Sequence, residues 1–127
     1  MLFTILGRAA TWREALRRCQ EAAAILPDDP RPLLYEGLCH ERLTRLAQSP
    51  EEKQKEFALS EATLRKALTL QVSSPDYSPV LTYRALASIY GHMNDYRAAL
   101  DSLKSARQAD TLTADTTELD GEIRSIE

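Results

Sequence analysis

Residues 83–106 read YRALASIYGHMNDYRAALDSLKSA, and this stretch decides the fold. Tyr83, Leu86, Ala87 and Tyr90 recur at the three-and-four spacing of one helix face. Asn94-Asp95 then interrupts the run. Asn and Asp side chains bond nearby backbone N–H groups, so they favour turns and helix N-caps over helix interiors. After the break, Tyr96, Ala99, Leu100, Leu103 and Ala106 again share a face. Two amphipathic helices joined by so short a link fold back as an antiparallel hairpin. Ala87 and Ala99 are small enough for the two backbones to approach closely.

The hairpin resembles a tetratricopeptide repeat, whose pattern is W-x2-L-G-x2-Y, then A-x3-F, then Pro. Tyr83, Leu86, Ala87 and Tyr90 stand in the first four slots, and Ala99 and Leu103 in the next two. The Pro slot falls on Thr111, a departure from the pattern. Looser copies precede it. Ala15 and Cys19, followed by Pro27, match the second half of a repeat. Leu33, Gly37 and His40 match a first half with Glu36 in the Leu slot, and Ser60 and Leu64 match its second half. The resemblance implies an all-α fold: antiparallel helical hairpins stacked as a right-handed solenoid with a C-terminal capping helix. The expected units are a partial first repeat over 1–27, a second with elongated helices over 30–72, a third over 79–110 and a capping helix over 113–127.

Local signals fit this division. Thr11-Trp12-Arg13-Glu14 reads as a capping box opening a helix that runs to about Ile25, with residues 1–9 as the tail of a preceding helix. Phe3 and Leu6 there lack packing partners from a front half, which suggests a chain cut from a longer protein. Asp29-Pro30 and Ser49-Pro50 each pair a cap residue with Pro in the first turn, where its missing N–H costs nothing. The interval from Ala22 to Ala67 exceeds the family period of about 34 by about eleven residues. Two longer helices would absorb them, so the second hairpin is expected to project with the polar segment EEKQKE as its tip. Leu119, Ile123 and Ile126 line one face of the last helix, whose other face is acidic. A terminal repeat needs such a polar outer surface.

Composition bounds the function. The 127 residues suit one domain, and 43% hydrophobic with 28% charged residues is typical of a globular chain. A net charge of −3 gives no reason to expect nucleic acid. The charge is unevenly spread, with Arg8, Arg13, Arg17 and Arg18 near the start and Asp115, Glu118, Asp120 and Glu122 near the end. No run approaches the ~18 apolar residues of a membrane span, so membrane insertion is not expected. Cys19 and Cys39 lie on helix faces and read as reduced core residues, which fits a cytoplasmic location. The two Cys and two His show no zinc-ligand spacing. His40 occupies a core-facing slot, and His92 sits where it would cap a helix C-terminus. With no nucleophile elbow, phosphate loop or metalloprotease motif, the chain is not expected to be an enzyme or to hold a cofactor or metal.

What remains is a binding surface for a protein or peptide partner. In tetratricopeptide arrays the first helix of each hairpin lines a concave groove. The resemblance therefore places Leu34, Tyr35, Leu38, Glu41 and Arg42, then Arg84, Ala85, Ser88 and His92, with Glu118 and Glu122 beyond them, on that groove. The core of the expected site is Leu34, Tyr35, Leu38, Arg42, Arg84, Ser88 and His92. Tyr35 and Leu38 would offer an apolar pocket, and Arg42 and Arg84 would hold an acidic group. One branch of the family clamps a C-terminal carboxylate with Lys and Asn pairs. Leu34, Leu38, Arg84 and Ser88 stand at those places, which argues against such a clamp. The competing expectations are self-association into a homo-oligomer and a regulatory repeat domain of a larger protein.

Overall fold

The computed structural model describes residues 2–74, 76–110 and 117–127, with side chains from Gly7 onward and, in the last segment, from Leu119 onward. The expectations for Phe3, Leu6, Thr111 and Glu118 fall on side chains outside the described residues. Six α-helices and no strand are present among the described residues: α1 Leu2–Ile25, α2 Pro30–Leu46, α3 Pro50–Val72, α4 Val80–His92, α5 Tyr96–Ala109 and α6 Thr117–Ile126. The chain is all-α. Each helix packs on its successor, and α2 also packs on α4. No described helix is long and apolar enough to cross a membrane.

The connections follow the cap chemistry. Asp29 caps α2 by accepting from the Arg31 N–H at 3.0 Å, and its carboxylate is gripped by the Arg31 guanidinium. That guanidinium holds the Asp29 carboxyl below its usual range. Ser49 caps α3 by accepting from the Glu52 N–H, while the Glu52 carboxylate reaches back to the Gln48 N–H. Asn94 takes φ = 60°, a left-handed conformation that Asn tolerates better than most residues. The next residue, Asp95, caps α5 through the Ala98 N–H.

One expectation is corrected. Helix α1 is continuous over 24 residues and does not restart at Thr11. The Thr11 hydroxyl donates to the Gly7 carbonyl at 3.0 Å, one turn back, so it satisfies itself inside the helix and frees no cap. Glu14 pairs with Arg17 and Arg18 and closes no capping box. The helices α2 and α3 have 17 and 23 residues, against 13 and 14 for α4 and α5. In the polar segment EEKQKE of α3, Glu51, Gln54 and Lys55 are exposed and Glu56 is buried. Helix α1 packs along α2, burying Leu16 with Cys39 and Leu43, and Trp12, Ala15 and Cys19 pack around them.

The α2–α3 hairpin also carries buried polar groups. His40 Nδ1 and Glu56 Oε2 are hydrogen-bonded at 2.8 Å, and both residues are almost fully buried. Both terminal nitrogens of Arg13 donate to Glu56 Oε1 at 3.3 Å from α1. Glu56 belongs to the EEKQKE segment, and it is only 3% exposed. Burial, together with the adjacent Cys19 thiol, pushes the Cys39 thiol up from 9.0 to about 12.

The main core lies among α2 to α6. Leu64, Ala67, Leu86, Ile89, Ala99, Leu103 and Ala106 are buried there with Leu119 and Ile123. Gly37 brings α2 against α3: a Cβ at that position would sit 2.5 Å from Leu64 Cδ2. At the same crossing, the Ser60 hydroxyl donates to the Gly37 carbonyl at 2.8 Å. The missing side chain is thus what admits the close approach.

Candidate functional site

Helices α2, α4, α5 and α6 each contribute side chains to a shared groove of about 710 Å³. Leu34, Tyr35, Leu38 and Arg42 reach it from α2, and Arg84, Ser88 and His92 from α4. All seven residues singled out from the sequence therefore line one cavity. They are brought together because each set recurs at helical spacing and α2 packs directly on α4.

Their surroundings differ from the simple expectation. Leu34 is buried in the core, so it forms floor, whereas Tyr35 is 57% exposed on the rim. The Arg84 guanidinium is already engaged, donating to Glu122 Oε1 of α6 at 2.8 Å. An acidic ligand group would have to compete with that carboxylate. Arg42 lies over the Trp12 ring, 5.8 Å from its centroid, which ties the groove wall to α1. His92 does not cap its helix. Its Nε2 is 3.0 Å from Glu41 Oε1, across the groove on α2.

Glu41 is the centre of the polar floor. Its residue is 3% exposed. Oε1 accepts from the Ser88 hydroxyl at 2.9 Å and lies 3.9 Å from Arg45 Nη1. Oε2 has no hydrogen-bond partner among the described residues, and its closest ion-pair contact is Arg42 Nε at 3.6 Å. The sequence places Glu41 on the groove face, but its burial and its unequal oxygens arise from pairings about fifty residues apart, which no local pattern encodes. Arg45, Leu81, Tyr96, Leu103 and Ile126 also line the groove and were not anticipated. Leu81 and Tyr96 are large, apolar and largely exposed, a signal visible only once their helices are placed.

The site offers an apolar trough with a polar centre. Among the described residues, no group of three His, Cys, Asp or Glu side chains is placed to hold a metal ion. No family model, no curated protein and no solved structure matches the chain.

Proposed function

We propose that this chain is a non-catalytic protein-interaction module, a short array of tetratricopeptide-like hairpins whose concave face grips an extended peptide. The observation that carries the reading is the groove itself. Residues from four helices, α2, α4, α5 and α6, converge on one cavity, with exposed Tyr35 and Leu81 and the charged groups Glu41, Arg42 and Arg84 among its lining. Exposed aromatics beside apolar floor are the usual anchors of a binding surface. The packing of α2 on α4, with α3 and α5 as their return helices, matches the layout in which first helices line the groove.

Peptides selected from a random-peptide phage library against the full chain supply the ligand for the test. Titration calorimetry then compares the native chain with Tyr35→Ala and Arg84→Ala together. The expected outcome is at least a tenfold loss of affinity, since truncating an aromatic rim contact and a charged groove contact together removes more than about 1.4 kcal/mol. Unchanged affinity in the double variant would place binding elsewhere and overturn the reading.

A further inference from the structure

We infer that the groove reads a side-chain carboxamide, an Asn or Gln of the bound peptide, at Glu41. This rests on the peptide-binding reading above and names the chemistry of its central contact. The argument starts from Oε2. A buried carboxylate oxygen without a hydrogen bond is uncommon and calls for a partner. The other oxygen is fully served by Ser88 and His92, so the deficit belongs to Oε2 alone.

The neighbours decide which partner fits. Arg42 Nε is 3.6 Å from Oε2, too far for a hydrogen bond. Arg45 Nη1 is 3.9 Å from the same carboxylate. A ligand ammonium or guanidinium approaching Oε2 would enter beside two positive charges. A ligand carboxylate would face Glu41 directly. A carboxamide meets neither conflict: its NH2 donates to Oε2, and its carbonyl accepts from the Arg42 Nε–H. Arg42 is 44% exposed at its side chain, so it can shift enough to admit the group while keeping its Nε–H beside Oε2. The narrow end of a flexible side chain reaches so deep an atom, whereas a main-chain amide carries a Cα substituent on each side. Leu34 and Leu38 line the same groove and suit the CH2 groups of Asn or Gln.

The test is a pair of selections from the same random-peptide phage library, one on the native full chain and one on Glu41→Gln. Circular dichroism first verifies equal helicity. The native chain should enrich Asn or Gln at one fixed position between apolar residues. Glu41→Gln should bind those peptides about tenfold more weakly, the loss of one charge-assisted hydrogen bond. It should select Asp or Glu at that position instead, because its amide presents an N–H where Oε2 stood. Should Glu41→Gln unfold, Arg42→Ala replaces it and should lose the same preference. Peptides that depend on Tyr35 but show Lys or Arg at the fixed position overturn the carboxamide inference and leave the peptide reading standing. So do peptides with no preference there, which would indicate main-chain recognition. An absence of enrichment, or peptides indifferent to Tyr35→Ala, overturns both.

Discussion

Helices α2 and α3 close on each other through Gly37 and Leu64, and helices α4 and α5 through Ala87, Ala99 and Leu103. Up to that point the two hairpins follow one plan. They part where the longer hairpin runs on beyond its apolar segment. There it buries His40 against Glu56 and Thr44 against the His40 carbonyl, turns Glu41 toward Ser88 and His92 of the other hairpin, and takes α1 against α2. The shorter hairpin reaches its turn at Asn94 before its apolar residues run out. Length therefore shifts the balance of what holds a hairpin: the short one buries only small hydroxyls, Thr82 and Ser102, among its apolar residues, whereas the long one also buries the ionisable groups His40, Glu41 and Glu56.

The sharpest way to break this contrast is at Glu56. Glu56→Ala leaves His40 and Arg13 without their acceptor, and urea unfolding should record a loss of about 3 kcal/mol. Replacing His40 and Glu56 together by Leu should cost far less or stabilise, since apolar packing often matches a buried pair. A double variant as unstable as Glu56→Ala would show that the polar groups hold the long arm by more than their mutual satisfaction.

Gly37→Ala tests the shared plan. Leu64 is fully buried and cannot retreat from the added methyl, so the loss should be about 2 kcal/mol. Combining it with Leu64→Ala should relieve the clash, and a double-mutant cycle reads that coupling.

The alkaline limb of stability probes the packing of α1 on α2. The native Cys39 thiol stays protonated up to about pH 12, whereas the unfolded thiol ionises near its ordinary 9.0. Above pH 9.0 the unfolded state therefore binds fewer protons than the native state, and stability falls as pH rises through this window. Cys39→Ala should flatten that limb by on the order of 1 kcal/mol at about pH 10.5. An unchanged limb would mean that α1 does not seal the thiol.

The smallest effect belongs to the short hairpin's turn. Asn94→Ala should cost about 1 kcal/mol at a left-handed φ, and Asn94→Gly close to nothing. Equal losses in both variants would point to a role for the side chain, which accepts from the Tyr96 hydroxyl at 3.1 Å.

Much of this was legible in the chain because it is local. The Asp29-Pro30, Ser49-Pro50 and Asn94-Asp95 signals mark helix boundaries by chemistry within a turn of themselves. The seven groove residues share a cavity because helical spacing sets which side chains share a face. What escaped reading is not local. Thr11 can cap a helix or bond back into one, and only the helix-forming context of Ala9 and Ala10 decides. EEKQKE reads as wholly solvent-facing, and only the partners of Glu56, His40 on α2 and Arg13 on α1, mark that one carboxylate as buried. The Arg84–Glu122 and Glu41–His92 pairs join residues 38 and 51 apart, and no periodicity foretells them.

The central claim, that the face shared by α2 and α4 is the binding surface, is tested most directly by amide chemical-shift mapping of a library-selected peptide on the isotope-labelled full chain. The account predicts the largest shifts at Leu34–Arg42 and Arg84–His92, with smaller ones along α6. Shifts concentrated on the outer faces of α3 and α5, with α2 and α4 unmoved, would contradict it.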